Sequence, residues 1–298
     1  MVGGNRLWTG GGINTGTSMV LKNNKSLGQH WLKNRFVLDD IASLARIGPA
    51  KLAKSTKSAK SAKPVKSTKS APEVTQVQPT CLEIGPGLGT LTSSLLRVFP
   101  KVIAVEFDER LAHNLPNSFP GKNLEVVNAD FLDFDLNKIK EPYVVAGNIP
   151  YYITSPIIMK LLQTENRPLK ITLLIQKEVA ERIAARKGKH TVISLSAQNL
   201  AKVSLGPVVE RDLFTPPPKV DSQVIILEPK PAEVSPEVIK LVKRGFSAPR
   251  KKLIKNLGVE KTKLIPIFNE LDFSPDIRPS DLDLTDWKKL QAALTKKS

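Results

Sequence analysis

The sequence is poor in the residues that build covalent or metal-bound frameworks. Its 298 residues include one cysteine, Cys81, so no disulfide can form within the chain. The three histidines are scattered without zinc-binding spacing, and we expect no metal site. No apolar run is long enough to cross a bilayer, and residues 1–20 are Gly-rich without the apolar core of a secretory signal. These absences predict a cytoplasmic protein with no membrane partner.

Acidic residues are also scarce, since 28 Asp and Glu face 45 Lys and Arg and leave a net charge of +17. Such a balance favours a polyanionic partner, usually nucleic acid. Seven lysines recur at every third position within residues 50–79, a Ser- and Ala-rich segment with few large apolar side chains. It cannot bury enough surface to offset its ordering entropy. We interpret it as a flexible charged linker or an auxiliary contact to RNA phosphates. Without these lysines the chain is still basic.

From Thr80 onward, short apolar runs alternate with helix-like stretches. This alternation predicts an α/β fold with a Rossmann-like, doubly wound and mostly parallel sheet. A further run, Ser222 to Leu227, is predicted to close the sheet as an antiparallel strand. The predicted parts are a disordered leader (1–24), an N-terminal segment with a helix (25–49), a disordered insertion (50–79), the remainder of the α/β domain (80–230) and a small all-α basic domain (231–298). Nothing signals oligomerisation, so we expect a monomer.

The stretch LEIGPGLGTLT places Gly85, Gly87 and Gly89 between the first long strand and a helix. Glycines there let the backbone turn tightly and approach a ligand closely. The next strand ends in Glu106, whose carboxylate can accept hydrogen bonds from ribose hydroxyls. A dinucleotide-binding fold has a similar layout, but the G-x-G-x-G spacing after Glu83 favours S-adenosylmethionine. A purely structural glycine turn is the remaining alternative.

Two further strands also end in polar residues. Asp130 ends the third strand, where its carboxylate can accept from an adenine amino group, and Asn148 ends the fourth. In open parallel sheets the carboxyl ends of the strands line the ligand crevice. We therefore expect Glu83, Gly85, Glu106, Asp130 and Asn148 to converge on one pocket.

The stretch VVAGNIPYYITS ends a strand in an Asn-Ile-Pro-Tyr corner. An amino group on a nucleobase is a poor nucleophile because its lone pair is delocalised into the ring. The amide oxygen of Asn148 and the backbone carbonyl of Ile149 or Pro150 can accept its two hydrogens, which favours a more nucleophilic nitrogen. Pro150 fixes the corner, and Tyr151 offers a ring for base stacking. No strong general base is required, because a sulfonium leaving group makes methyl transfer easy.

A base that presents its amino group must leave its stack, and a second aromatic ring would complete a clamp. Phe214 in LFTPPPKVDS is the candidate, since three prolines stiffen its loop. The alternative is that Phe214 fills the core. Tyr152 is expected to turn inward.

Together, KSLGQHWLKN, EIGPGLGTLT, NIPYYITSPI, LLIQKEVAERI and FTPPPKVDS resemble the KsgA-type ribosomal RNA small subunit adenine dimethyltransferases. The resemblance runs from Lys25 to the C-terminus apart from the insertion. It implies S-adenosylmethionine-dependent dimethylation of N6 of two adjacent adenines in a 16S rRNA hairpin loop, within the pre-30S particle. It also implies that residues 25–49 cover the cofactor. The cofactor contacts expected are His30, Leu32, Gly85, Gly87, Glu106, Asp130 and Asn148. Trp31 departs from the family's phenylalanine, and residues 190–194 lack a family glycine.

The stretch KRGFSAPRKKLIKNL combines cations with apolar residues and contains no acid. We predict a helix that turns Leu253, Ile254 and Leu257 inward and its cations toward RNA phosphates, the alternative being a solvated charged face. The six cations are Lys243, Arg244, Arg250, Lys251, Lys252 and Lys255. This stretch resembles the family's Phe-Ser-x-x-Arg-Lys-x-Leu-x-x-Asn motif.

Two rival functions share the fold. Antibiotic-resistance methyltransferases of 23S rRNA have the same cofactor motifs and Asn-x-Pro-Tyr corner, but the basic C-terminal motif disfavours them. A non-catalytic RNA-binding or transcription factor would not need the intact set of Glu106, Asp130, Asn148 and Tyr151.

Overall fold

A computed structural model describes residues 30–48 and 78–296, and the predicted leader and most of the insertion lie outside these ranges. The strands are β1 (Trp31–Leu32), β2 (Thr80–Ile84), β3 (Val102–Glu106), β4 (Leu124–Asn128), β5 (Tyr143–Asn148), β6 (Ile171–Gln176), β7 (Ala201–Val209), β8 (Phe214–Thr215) and β9 (Ser222–Pro229). The helices are α1 (Arg35–Ala45), α2 (Thr90–Val98), α3 (Glu109–Asn114), α4 (Thr154–Gln163), α5 (Lys177–Ile183), α6 (Val192–Leu200), α7 (Pro236–Gly245), α8 (Lys261–Glu270) and α9 (Leu284–Lys296). The predicted α/β class is confirmed.

Seven strands form one sheet in the order β4-β3-β2-β5-β6-β9-β7. Strands β2 to β6 are parallel, and β9 runs antiparallel to both β6 and β7, as predicted for the closing strand. The chain moves outward from β2 to β4 and returns to β5 on the other side of β2. This reversal of direction opens a crevice at the carboxyl ends of β2 and β5.

Strand β7 was not predicted, because Gly206 and Pro207 interrupt its pattern. The strand lies at the edge of the sheet, where a residue without a backbone N–H is tolerated. Its register shifts between Leu205 and Val208, and a Cβ at Gly206 would lie 2.9 Å from the Cβ of Val224. The two residues that break the sequence pattern therefore fit an irregular edge strand.

Helix α1 belongs to the predicted cofactor-covering segment and is stabilised by packing against the sheet. An 11-residue helix is marginal in isolation. Leu38 and Ile41 are buried against the sheet, and the side chain of Asn34 accepts a hydrogen bond from the Val37 N–H at the helix start. Residues 30–34 are thereby fixed beside the crevice.

The two ends of the Lys-rich insertion are joined by a pair of hydrogen bonds. The Ile47 N–H donates to Gln78 Oε1 over 2.9 Å, and Gln78 Nε2 donates to the Ile47 carbonyl over 3.3 Å. Gln78 and Pro79, the last two residues of the predicted insertion, are buried. Ile47 and Gln78 therefore lie side by side, although 31 positions separate them in the sequence.

The basic stretch 243–257 is not the single helix that its sequence predicted. Helix α7 ends at Gly245, and only a short 3₁₀ turn, Leu253–Lys255, follows. A Cβ at Gly245 would lie 2.3 Å from the buried Trp287 ring, so the chain must pass close to that indole before turning. Asn256 Nδ2 then donates to the carbonyls of Gly245 and Ala248 over 2.6 and 3.0 Å, which fixes the turn.

Around this turn, helices α7, α8 and α9 enclose a hydrophobic cluster of their own. Leu253, Ile254 and Leu257 are buried in it, as predicted. Leu195 of α6 joins the same cluster and connects it to the α/β domain. None of the helices within the described ranges is long and apolar enough to cross a membrane.

Candidate active site

A cavity opens where β2 and β5 end, at the point where the strand order reverses. Its wall includes all the predicted cofactor contacts, namely His30, Leu32, Gly85, Gly87, Glu106, Asp130 and Asn148. Pro150 and Tyr151 of the predicted reacting corner also line it. Residues from widely separated parts of the chain thus meet in one crevice, and their contacts with a cofactor stay a prediction.

The floor of the cavity is the glycine loop between β2 and α2. Gly85, Gly87 and Gly89 have φ values of 65°, 57° and 79°, in the left-handed region that side chains disfavour. A Cβ at Gly89 would lie 2.7 Å from Leu115 Cδ1, and one at Gly87 would lie 3.1 Å from Trp31 Nε1. Side chains at Gly87 and Gly89 would therefore crowd their neighbours, and the loop packs closely against the Trp31 indole.

Glu106 binds the glycine loop through backbone donors. Its Oε2 accepts from the Gly87 N–H over 3.0 Å, and its Oε1 accepts from the Asp108 N–H over 2.9 Å. Burial raises the pKa of Glu106, while these two N–H groups oppose the rise. Each carboxylate oxygen has a further lone pair, so the group can also accept from ligand hydroxyls.

Phe107 is a cavity residue that sequence reasoning missed. Its ring is 60% exposed and lines the cavity beside Glu106. The available signal was an aromatic residue directly after an acidic strand end. Such a ring gives the cavity an apolar wall on which a flat heterocycle can stack.

Asp130 lies in the loop after β4, where a backbone N–H of the same loop orients one of its carboxylate oxygens. The Leu132 N–H donates to Asp130 Oδ1 over 2.8 Å, in a local turn. No hydrogen bond among the described residues engages Oδ2. Because Asp130 lines the cavity, that oxygen is the one a ligand donor can reach.

Glu83 does not line the cavity, which corrects the expectation that it converges there. It is 1% exposed, and neither carboxyl oxygen has a hydrogen bond of normal geometry. Burial raises its pKa to about 8, the nearby Thr92 side chain opposes the rise, and the charge of Glu106 adds to it. At neutral pH, Glu83 is thus mainly a neutral acid beneath the glycine loop.

The amide of Asn148 is oriented by the N-terminal segment. Its Nδ2 donates to the backbone carbonyl of His30 over 3.0 Å. A carbonyl can only accept, so the nitrogen must point toward His30 and the oxygen Oδ1 is left as an acceptor. The hydrogen bonds among the described residues use only the amide nitrogen, and Asn148 lines the cavity.

His30 also joins the cavity to the Pro-rich loop. Its Nδ1 lies 2.7 Å from the Pro216 carbonyl, so Nδ1 carries the proton. Its ring stacks on Tyr151, with centroids 6.1 Å apart and planes inclined by 21°. The Tyr151 hydroxyl is hydrogen-bonded to Ser222 Oγ over 2.8 Å, and burial raises its pKa. One face of Tyr151 is therefore next to His30.

Phe214 is not the exposed stacking ring that the sequence predicted. Its ring is 2% exposed and belongs to the core. The reason is the pairing of β1 with β8, which sets Leu32 opposite Phe214 and Trp31 opposite Thr215. Tyr152, expected to turn inward, is 66% exposed and lines the cavity. Tyr152 is thus an exposed aromatic residue of the cavity, in addition to Phe107.

Within residues 30–48 and 78–296, no three His, Cys, Asp or Glu side chains are grouped closely enough to hold a metal ion.

This geometry coincides with a family match. A sequence profile described as ribosomal RNA adenine dimethylase matches residues 20–264. The chain belongs to the ribosomal RNA adenine dimethylase family. It is therefore an enzyme of S-adenosylmethionine-dependent rRNA adenine dimethylation, and its substrate is rRNA.

Relatives of this dimethylase support the assignment over nearly the full length. The ribosomal RNA small subunit methyltransferase A of Gloeobacter violaceus is 38% identical, covering 91% of this chain and 93% of the relative. The protein of that name from Nostoc sp. is 35% identical, with 91% and 97% covered.

Two solved structures have the same fold as this dimethylase. A dimethyladenosine transferase from Plasmodium falciparum has a TM-score of 0.67 at 27% identity, covering 89% of this chain and 98% of that one. The 23S rRNA methyltransferase ErmE has a TM-score of 0.66 at 24% identity, with 89% and 99% covered. The fold is therefore shared by a dimethyladenosine transferase and a 23S rRNA methyltransferase.

The dimethylase presents its predicted RNA-binding cations outside this cavity. All six are exposed, on the last turn of α7 and on the turn that follows. They are Lys243, Arg244, Arg250, Lys251, Lys252 and Lys255. Lys252 forms an ion pair with Asp276.

Proposed function

We propose that this enzyme dimethylates N6 of two adjacent adenines in a hairpin loop of 16S rRNA, within a pre-30S particle. The observation that carries the proposal is the oriented Asn148 amide, whose oxygen is held as an acceptor at the cavity. The small-subunit names of the relatives at 38% and 35% identity support the choice of RNA. This partner implies a cytoplasmic location, and we propose that the enzyme acts as a monomer.

The cavity fits S-adenosylmethionine by the donors and acceptors it offers. Glu106 would accept from the ribose hydroxyls, and Asp130 Oδ2 would accept from the adenine amino group. The exposed Phe107 ring gives the adenine an apolar face on which to stack. The glycine loop lets the backbone approach the ligand closely. When bound, S-adenosylmethionine supplies the methyl group and a sulfonium leaving group.

The reacting corner would hold the target adenine. Asn148 Oδ1 accepts one hydrogen of the N6 amino group, and a backbone carbonyl accepts the other. The Pro150 carbonyl already accepts from the Ile153 N–H over 3.4 Å, which favours the Ile149 carbonyl for this role. The base stacks on Tyr151, with Tyr152 at the mouth, and the N6 proton passes to solvent after the bond to carbon forms.

The basic turn would bind phosphates outside the target loop. Its exposed cations add affinity that falls with salt and is independent of sequence. The alternative of a 23S rRNA target has the likeness to ErmE in its favour, but that likeness concerns the fold.

The test is a competition between ribosomal subunits. Purified enzyme and labelled S-adenosylmethionine are incubated with equal amounts of unmethylated 30S and 50S subunits. We expect label in the 30S rRNA alone. Label confined to 50S subunits would refute the proposal.

A further inference from the structure

Lys160 joins the helix that follows the reacting corner to the loop after β4. It lies on α4, the helix that follows the Asn-Ile-Pro-Tyr corner. Its Nζ donates a hydrogen bond to the Leu132 carbonyl and lies 5.6 Å from the centre of the Phe131 ring. The side chain is half-buried, so these contacts are partly shielded from water.

The loop that Lys160 contacts is the one that carries Asp130. The Leu132 N–H donates to Asp130 Oδ1 over 2.8 Å, and the Phe134 N–H donates to the Asp130 carbonyl over 3.0 Å. Lys160 therefore holds the carbonyl of the same residue whose N–H orients the Asp130 carboxylate. Asp130 and Phe131 both line the cavity, whereas Lys160 does not.

Charge reinforces this arrangement. Asp130, Asp133 and Asp135 lie within one short loop, and their carboxylates repel one another. Burial lowers the pKa of Lys160, while the three carboxylates oppose that change. An ammonium at this position thus offsets the repulsion and holds the loop against α4.

We infer that Lys160 is a positioning residue for the adenine end of the cofactor. It fixes the loop of residues 129–134 so that Asp130 Oδ2 meets the exocyclic amino group of adenine. The inference rests on the proposed function, because it requires Asp130 to contact the cofactor. Lys160 itself touches no reacting atom.

The experiment measures selectivity for the base rather than activity. Binding of S-adenosylhomocysteine and of S-inosylhomocysteine, which has a carbonyl in place of the amino group, is measured by calorimetry without RNA. Lys160→Met removes the donor and the charge, and Lys160→Arg keeps both. Lys140→Met is the matched control, since the exposed Lys140 also donates to a loop carbonyl, that of Asn137.

We expect the wild type to prefer the adenine ligand. Lys160→Met should lower the affinity for the adenine ligand about tenfold, because one hydrogen bond to a charged group is lost. The affinity for the inosine ligand should change less than about twofold. Lys160→Arg should restore the preference, and Lys140→Met should match the wild type. If Lys160→Met does not fold, Lys160→Gln takes its place in the same comparison.

Three results would overturn the inference. An unchanged preference for the adenine ligand in Lys160→Met, whether neither ligand loses affinity or both lose it equally, shows that Lys160 does not position Asp130 for adenine. If the wild type binds both ligands equally, the enzyme does not recognise the exocyclic amino group of adenine. A wild type that binds neither ligand contradicts the proposed function itself, and the inference with it.

Discussion

The side-chain amide of Asn148 donates a hydrogen bond to the backbone carbonyl of His30 over 3.0 Å, across 118 residues of sequence. His30 in turn donates from Nδ1 to the Pro216 carbonyl over 2.7 Å. The N-terminal segment, the reacting corner and the Pro-rich loop are therefore joined at one residue. The amide proposed to accept a hydrogen from the target amino group is thus oriented by the segment proposed to cover the cofactor.

Replacing Asn148 by alanine should slow transfer strongly while the cofactor still binds. The variant loses the oriented acceptor, and the loss of one preorganised polar group costs about 10²–10³-fold in turnover. Single-turnover methylation and cofactor calorimetry measure the two effects separately. Asn114→Ala is the control, because this exposed helix residue only donates to the Arg110 carbonyl. Retained turnover in Asn148→Ala would mean that the amide is not the acceptor.

Glu83→Gln should remove a pH dependence of stability in the cofactor-free enzyme. Burial raises the pKa of Glu83 to about 8, above its ordinary value of 4.5, so the folded state binds the proton more tightly than the unfolded state. This contribution is fully present below pH 4.5 and is lost as the pH rises to about 8. The free energy of unfolding that Glu83 contributes falls by at most about 1.4 kcal/mol per pH unit.

Urea unfolding at about pH 5.5 and about pH 7.5 checks this prediction. As the pH rises from the lower to the higher value, the free energy of unfolding of Glu83→Gln should increase relative to that of the wild type by on the order of 2–3 kcal/mol. The difference between the two proteins cancels the contribution of other groups, such as the buried His190. Parallel curves for both proteins would contradict the protonated state of Glu83.

Deleting residues 51–76 should leave the folded enzyme as stable as before. Ile47 and Gln78, which flank the deleted segment, are already hydrogen-bonded to each other. Thermal unfolding should shift little, and the salt dependence of RNA binding should become shallower, by at most about 0.7–0.9 per lysine removed. Gln78→Ala in the full chain is the contrast, since it should cost about 1–3 kcal/mol by leaving buried groups unpaired. A large loss of stability on deletion would exclude the linker interpretation.

Reversing two charges on the basic turn should weaken RNA binding without affecting the cofactor. The change is Arg250→Glu with Lys251→Glu, and the matched control is Lys288→Glu with Lys289→Glu on exposed positions of α9. We expect the affinity for 30S subunits to fall more than about tenfold only in the first variant, because phosphate contacts are replaced by repulsion. Filter binding at several salt concentrations measures the affinity of each variant for 30S subunits. Equal losses in both variants would indicate a non-specific effect of net charge.

The positions of the strand-end residues could be predicted from the sequence. Glu106 and Asn148 each follow an apolar run whose length and flanks identify a buried parallel strand, and parallel strands end at one edge of the sheet. The conclusion needed only local pattern and a topological rule. The same reasoning could not give the hydrogen bond between Asn148 and His30, which joins distant segments.

Side-chain direction outside the regular elements could not be predicted. Phe214 turns inward because β8 pairs with β1, a contact between segments far apart in sequence. Tyr152 is exposed because the chain after Pro150 forms a short 3₁₀ turn, Tyr151–Ile153, before α4. The predicted basic helix is too long, because the real helix ends through contacts with Trp287 and Asn256. Neither residue belongs to the apolar pattern from which the helix was predicted. Each of these outcomes is set by tertiary contacts rather than by periodicity.

The most direct measurement is mass spectrometry of nucleosides and of nuclease fragments of 16S rRNA after incubation of unmethylated 30S subunits with the enzyme and S-adenosylmethionine. We expect N6,N6-dimethyladenosine at two adjacent positions, formed about 10²–10³-fold more slowly by Asn148→Ala. Methylation of a ring nitrogen or a ribose hydroxyl, or product formed equally by Asn148→Ala, would contradict it.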